Sequence, residues 1–173
     1  MKGFYLSKKS YMSQAIKQLQ LRYHNTEDRI LLTIATPTNQ VMKAWITRRY
    51  VKILLPALQG LNPETLKPMV KMADNLSRED LNYKLENQFN EPENPRYPLG
   101  EDPIILNSLR FEKQDVPMPR LALEPKSGSG ILLNLYPPFV RALQSQLANA
   151  IIKADWQLDL DPMVGFASSH RLQ

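Results

Sequence analysis

The stretch of sequence that decides the fold is residues 29–58, which read RILLTIATPTNQVMKAWITRRYVKILLPAL. Its first eight residues are a short apolar run rich in β-branched side chains, which is typical of a central strand. Pro37 and Asn39 then predict a turn, and the alternating residues 40–46 predict another strand. Thr47 predicts the N-cap of a helix whose apolar residues recur at helical spacing. The stretch therefore predicts a β-hairpin followed by a helix.

The residues before this stretch extend the same pattern. Leu19, Leu21 and Tyr23 fall two apart, which places them on one face of a strand over residues 17–24. Residues 25–28 between the two strands predict a turn. Residues 1–60 are therefore expected to form a three-stranded meander closed by a helix.

A similar order recurs later in the chain. Strands are predicted over residues 104–112, 120–124 and 131–136, and Pro137-Pro138 is typical of a helix start. Sliding the chain by 89 positions superposes residues 32–58 on residues 121–147 without a gap. Four positions are identical, namely Leu32, Val51, Leu54 and Leu58 against Leu121, Val140, Leu143 and Leu147. This is either a duplication, whose halves we expect to be related by a pseudo-twofold, or two similar units that share apolar spacing for packing reasons alone.

The segments between and after these two units complete the predicted organisation. A helical segment is expected over residues 62–89, and a proline-rich surface crossing over residues 90–103. A last strand is expected over residues 156–161 and a weakly ordered tail over residues 162–173. The prediction is thus a single α+β domain, residues 1–161. It consists of two similar ββα halves, 1–60 and 104–161, forming a mixed or antiparallel sheet with three to four helices packed on one side.

Composition excludes several classes of function. The 173 residues include no cysteine, so the chain has no disulfide, no thiolate zinc site and no cysteine nucleophile. No apolar run approaches the roughly 18 residues that cross a bilayer, and the basic start lacks the apolar stretch of a signal peptide. We therefore expect a cytoplasmic protein without a membrane partner.

Charge is unevenly distributed along the chain. Residues 1–60 hold ten lysines and arginines against two acidic residues, a net charge of +8, whereas the remainder carries −3. Such a layout favours encounters with an anionic partner and is compatible with head-to-tail homo-oligomers. A chance asymmetry of solvated faces explains it equally well.

The residues that usually carry catalysis are scarce. His24 and His170 have no motif around them, and no serine has the setting of a nucleophile elbow. Residues 127–130, Ser-Gly-Ser-Gly, are typical of a hairpin turn rather than a phosphate loop. Acidic residues alternate near the end of the chain, where a solvated strand face is the simpler interpretation than a cation site; they are Asp155, Asp159 and Asp161. The sequence favours a protein that is not an enzyme and predicts no cofactor and no metal.

The most distinctive cluster combines cations with an aromatic residue at the junction of strand and helix. It consists of Lys43, Trp45, Arg48, Arg49 and Lys52. Cations in the first turn of a helix are unfavourable, because that end of the helix dipole is positive. We therefore expect an anionic group next to the two adjacent arginines. The same residues are also consistent with a purely structural role, in which Trp45 packs under a helix and the arginines pair with acidic side chains.

Three functions follow from these residues. The first is a binding or assembly protein whose basic N-terminal third docks an acidic protein partner, with this cluster as its site. The alternative is sequence-tolerant binding of single-stranded nucleic acid by the same cluster, through aromatic stacking and arginine–phosphate pairing. The third is a metal-assisted hydrolase using the three aspartates.

Overall fold

The fold contains the strands and the two helices that the most regular stretches of the sequence predict. The structure, a computed structural model, describes residues 11–12, 15–72, 89–112 and 118–158. The described residues form seven strands and two helices. In chain order these are β1 (Tyr11–Met12), β2 (Gln18–His24), β3 (Arg29–Ala35), β4 (Val41–Ile46), α1 (Arg48–Ala57), β5 (Ile104–Glu112), β6 (Arg120–Pro125), β7 (Gly130–Asn134) and α2 (Pro137–Ala154).

All the strands belong to one mixed sheet, in the order β1-β7-β6-β5-β4-β3-β2. Strands β2 to β4 form one antiparallel meander, and β5 to β7 form a second. The two meanders meet where β4 and β5 run parallel, through the pairs Ala44–Ile104 and Trp45–Ile105. The short β1 pairs in parallel with β7. Each meander therefore keeps its local hairpins, and one parallel contact joins them.

A single hydrophobic core holds both helices on the sheet. Alternate strand residues face this core, as in the buried cross-strand pairs Leu32–Ala44 and Leu121–Leu133. The helices add apolar residues at helical spacing, which are Tyr50, Val51, Leu54, Leu55 and Leu58 from α1 and Phe139, Val140, Leu143, Leu147 and Ile151 from α2. Burying one such side chain contributes about 1.5–3 kcal/mol. The core is thus shared by residues from both parts of the chain.

The two hairpin-and-helix units have the same strand register. Ile34 pairs with Met42 in the first hairpin, and Leu123 pairs with Ile131 in the second. The N-caps of the helices, Thr47 and Tyr136, are also equivalent under the shift of 89 residues. The duplication itself stays a prediction, because shared packing requirements also produce a common register.

The pseudo-twofold relation between the halves is wrong. A twofold axis normal to the sheet makes the two strands beside it antiparallel, but β4 and β5 are parallel. An axis along the strands exchanges the two faces of the sheet, but both helices contribute to one core. The two meanders instead follow each other in the same direction along the sheet.

The prediction of three to four helices is also wrong, since the described residues form two. Residues 62–72 form turns and an isolated bridge between Leu61 and Pro68 instead of a helix. Pro63 and Pro68 each remove a backbone donor, and Leu66 adopts a left-handed conformation with φ 56°. The rest of the expected helical segment, residues 73–88, lies outside the described residues.

The described part of the last predicted strand, residues 156–158, is not a strand. Residues 156–158 follow the end of α2 without strand structure, while residues 159–161 and the expected tail lie outside the described residues. Asp155 ends α2 in a left-handed conformation with φ 51°. Trp156 is buried against the core, so this segment returns to the sheet by side-chain packing rather than by strand pairing.

The outer edge of β2 is covered by α2. The side-chain Oε1 of Gln146 accepts a hydrogen bond from the Leu21 N–H at 2.8 Å, and its Nε2 donates to the Leu19 carbonyl at 3.3 Å. At the start of β2 the roles are reversed, since the side-chain amide of Gln18 binds the backbone N–H and carbonyl of Asn90, both at 3.0 Å. A side-chain amide thus satisfies backbone groups of an edge strand that could otherwise recruit another chain.

Candidate functional site

A groove of about 620 Å³ lies between α1, β5 and the loop that follows α1. Its lining residues are Thr47, Arg49, Tyr50 and Ile53 from the helix and its cap, Asn62, Pro63, Glu64 and Met69 from the loop, and residues 105–111 from β5. The volume falls in the range of typical ligand pockets. We call this cavity the α1–β5 groove and treat it as the candidate site.

The α1–β5 groove exists because β4 and β5 separate soon after they pair. Strand β4 ends at Ile46, and the chain then turns into α1, whereas β5 continues to Glu112. The turn is fixed by Thr47, whose Oγ1 accepts the Tyr50 N–H at 3.2 Å as an N-cap. Beyond Ile105, the β4 side of β5 therefore faces α1.

The loop of residues 61–70 forms the other wall of the groove. Its shape depends on Gly60, which has φ +77° and whose carbonyl accepts the N–H groups of Met69 and Val70 at 2.8 and 3.2 Å. A Cβ at this position would lie 2.7 Å from the Val70 carbonyl oxygen. The side chain of Asn62 accepts two further backbone N–H groups of the loop. The loop thus presents Met69 to the groove in a fixed position.

A polar cluster lies beside the buried part of the groove. The Tyr50 hydroxyl donates to the Ser108 carbonyl at 3.0 Å, and the Ser108 hydroxyl donates to Glu124 at 3.3 Å. Arg110 pairs with the same carboxylate at 3.4 Å. Burial, followed by the nearby Glu124 charge, raises the pKa of Tyr50 above its ordinary value of 10.0. Tyr50 therefore remains a protonated donor that holds β5, rather than an acid or base.

The rim of the groove is apolar and exposed. Met69 and Ile105 are 54% and 50% exposed. The described residues expose four large apolar side chains in all; Leu66 lies in the same loop as Met69, and Ile152 lies on α2. A cluster of exposed apolar side chains beside a cavity is typical of an interaction site.

Two cations of the predicted cluster lie on this side of the molecule. Arg49 lines the groove, and Lys52 is exposed one turn further along α1. The first turn of α1 contains no acidic residue. Neither side chain has an ion pair or hydrogen bond in the described part of the chain. Arg49 is thus a cation that lines the candidate site and has no partner among the described residues.

Lys43 and Trp45 lie on the opposite face of β4 from the core, as the alternation predicts. The ammonium of Lys43 stands 5.0 Å from the ring centre of Tyr97, and the Trp45 ring meets His24 edge to face at 5.3 Å. Tyr97 belongs to the crossing segment, which Arg96 attaches to the turn between β3 and β4. Both side chains of the prediction therefore already have neighbours on this face.

Arg48 points to a different neighbour from Arg49. Its guanidinium donates to the Gln157 carbonyl at 2.9 Å, beyond the end of α2. The adjacent Asp28 accepts the Trp156 indole N–H at 2.7 Å and the Tyr23 hydroxyl at 2.9 Å. These two hydrogen bonds, with a smaller contribution from Arg48, lower the pKa of Asp28. Arg48 thus links the start of α1 to the segment that follows α2, and the five predicted residues do not form one patch.

Two arginines outside the predicted cluster lie on the outer face of the sheet, where Arg22 is exposed and Arg29 is half-buried. Arg22 pairs with Leu31 across the strands, and Arg29 pairs with His24. Both residues alternate with core residues of their strands, so strand periodicity alone could have placed them on this face. Neither arginine has an ion pair or hydrogen bond among the described residues. We call Arg22, His24, Arg29, Leu31 and Trp45 the outer-face patch.

The structure offers nothing for the metal hypothesis in the part of the chain that it describes. No group of three histidine or acidic side chains there could hold an ion. Asp155 serves as the C-cap of α2. Asp159, Asp161 and His170 lie outside the described residues.

Comparison with known proteins provides no relative for this chain. No family model, no curated protein and no solved structure matches it. Among the described residues, neither helix is long and apolar enough to cross a membrane.

Proposed function

We propose that this protein is a non-enzymatic binding protein that docks an acidic protein partner in the α1–β5 groove. The observation that carries the proposal is the combination, in one cavity, of exposed apolar Met69 and Ile105 with the unpaired Arg49. The proposal places the protein in the cytoplasm, since a chain without cysteine gains nothing from an oxidising compartment.

The chemistry of the groove suits a peptide segment with apolar and acidic side chains. Covering the exposed halves of Met69 and Ile105 contributes about 1 kcal/mol each, since full burial contributes about 1.5–3 kcal/mol. A carboxylate that pairs with the exposed Arg49 adds up to about 1 kcal/mol. The apolar rim supplies affinity, and the arginine selects an acidic partner.

Single-stranded nucleic acid is less well supported as the ligand. Stacking needs accessible aromatic faces, but in the predicted cluster Trp45 is the single aromatic residue and it already contacts His24. Lys43 is engaged with Tyr97, and Arg48 with Gln157. Only two cations of that cluster, Arg49 and Lys52, are left to contact phosphates. Two phosphate contacts contribute little to nucleic-acid affinity.

Selection from a random library of displayed 12-residue peptides tests the proposal. The full chain is the bait, and selection is made at physiological salt. We expect the recovered peptides to be enriched in Asp or Glu next to apolar residues, and to bind the chain in fluorescence anisotropy. Recovery of peptides without acidic enrichment, or of none above background, contradicts the proposal.

A matched pair of variants locates the binding. Arg49→Ala should weaken binding of the selected peptides about three- to fivefold, because it leaves their carboxylate without its partner. Arg141→Ala removes the same charge from an exposed position on α2 that does not line the groove, and should leave affinity within about twofold. Equal losses in the two variants indicate non-specific attraction by a basic protein and count against the site.

A further inference from the structure

The binding surface does not end at the groove. We infer that it continues over Ile105 onto the outer-face patch, so that the partner is an extended acidic segment lying across strands β5, β4, β3 and β2. This inference rests on the proposed function, because the segment enters through the α1–β5 groove.

Ile105 connects the two surfaces. It lines the groove, and it is also the cross-strand partner of Trp45 on the outer face of the sheet. Trp45 in turn pairs with Leu31, and Leu31 pairs with Arg22. Cross-strand partners lie side by side, so these four residues form one row across four strands. An apolar path therefore leads from the groove to an exposed arginine.

The far end of this row is cationic and has no compensating charge within its strands. Strands β2, β3 and β4 contain no acidic residue, but they contribute Arg22, Arg29 and Lys43 to the outer face. Arg22 and Arg29 have no ion pair or hydrogen bond in the described part of the chain. A segment with an apolar middle and a carboxylate at its end complements this row, just as a carboxylate complements Arg49 at the other end.

The distance between the two ends sets the length of the segment. Neighbouring strands lie about 4.8 Å apart, so the three steps from Ile105 to Arg22 span about 14 Å. An extended chain covers about 3.3 Å per residue, which makes this span about four residues. A peptide that fills the groove therefore needs about four to six additional residues to reach Arg22 and Arg29.

The chemistry of the row favours a peptide over a nucleic acid. Leu31 and Ile105, on either side of Trp45, are aliphatic and offer no ring for a base to stack on. Aliphatic neighbours instead accept apolar side chains of a peptide. Binding of single-stranded nucleic acid to the same arginines is the competing outcome of the test.

Lengthening a groove-binding peptide tests the inference. A selected 12-residue peptide is extended at either end by six residues of alternating leucine and glutamate, with a matched extension of leucine and glutamine as the neutral control. Anisotropy is measured on the full chain, on Arg22→Ala/Arg29→Ala, and on Arg141→Ala/Lys126→Ala as a charge-matched control. Fluorescein-labelled 20-nucleotide single-stranded DNA serves as the competing probe.

We expect one acidic extension to strengthen binding about three- to tenfold, which the Arg22→Ala/Arg29→Ala variant abolishes and the control variant retains. A gain that is equal for the neutral extension, or that survives loss of both arginines, overturns the inference. The proposed function stands in that case, since binding of the unextended peptide still depends on Arg49. Tighter binding of the DNA than of the extended peptide, lost in the same variant, overturns the inference in favour of nucleic acid.

Discussion

Residues 29–58 and 118–147 build the same hairpin and begin a helix at the same position, but the two helices differ in length. Helix α1 has 10 residues, with Pro56 in its last turn, whereas α2 has 18. At 1.5 Å per residue they are about 15 Å and 27 Å long. The short helix leaves a groove beside β5, and the long helix extends to β2 and covers its edge with Gln146. The short helix thus leaves the strand beside its hairpin open, whereas the long helix reaches a strand at the opposite end of the sheet.

The first turns of the two helices also differ. Helix α1 begins with a side-chain cap and two arginines, whereas α2 begins with Pro137 and Pro138 and has no side-chain cap. Tyr136 stacks on Phe139 at the start of α2, with ring centres 5.7 Å apart. One helix start presents charge to solvent, and the other is packed. The proposed binding site thus lies beside the first unit, whereas the second unit closes the core.

The largest loss of stability should come from the buried helix positions that the two units share. Leu54 and Leu143 are equivalent and 1% exposed, so Leu54→Ala and Leu143→Ala should each lower the free energy of unfolding by about 2–5 kcal/mol. Urea denaturation followed by circular dichroism measures both. If Leu54→Ala lowers the free energy of unfolding by less than half as much as Leu143→Ala, residues 29–58 are more loosely packed than residues 118–147. The two units would then not be equivalent.

A smaller effect should come from Gln146, which has no counterpart because Ala57 occupies the equivalent position in α1. Gln146→Ala removes two hydrogen bonds from the edge of β2 and should cost about 1–3 kcal/mol. The freed edge should also promote concentration-dependent self-association, which sedimentation velocity detects. Gln144→Ala, two residues away on the same helix, is the control. A variant as stable and monomeric as this control would refute the role of Gln146.

The smallest effect should come from Asp28, which fastens the end of α2 to the first meander. Asn at this position keeps the left-handed conformation, φ 48°, but removes the charge. The native pKa is lowered below the ordinary 3.8, so the contribution of Asp28 to stability is present above that value and is lost as pH falls through the native pKa. Asp28→Asn should therefore be less stable than the natural protein at pH 7, with the gap closing on acidification. Urea titrations at pH 7 and at pH 3 measure the gap, and an unchanged gap contradicts the prediction.

Local pattern identified most strands and both helices, but it failed for the loop after α1, for the segment after α2 and for the assembly of the sheet. Alternation in residues 17–24 and helical spacing after Thr47 identified β2 and α1, because neighbouring residues determine these elements. The parallel contact of β4 with β5 has no local signature, and it excludes the pseudo-twofold that we expected of a duplication. Pro63 and Pro68 were available as signals against a helix, and the loop they form carries Met69.

The candidate site was accessible from the sequence only in part. Alternation placed Lys43 and Trp45 on the outer face of β4, where the structure has them. Arg48 and Arg49 are adjacent in sequence, and only the fold shows that one contacts Gln157 while the other lines the groove. Arg22 becomes part of a row with Trp45 through cross-strand register, which a single strand does not reveal.

The amide of Gln146 also has a consequence for the nascent chain. It lies 125 residues beyond Leu21, the strand residue whose N–H it binds. At about 5–20 residues per second of translation, β2 waits roughly 6–25 s after its own synthesis before Gln146 is made. The first meander can form its hairpins in this interval, because those pairings are local. During this interval the backbone groups at the free edge of β2 have no partner from α2. We therefore expect a chaperone to bind the growing chain at β2.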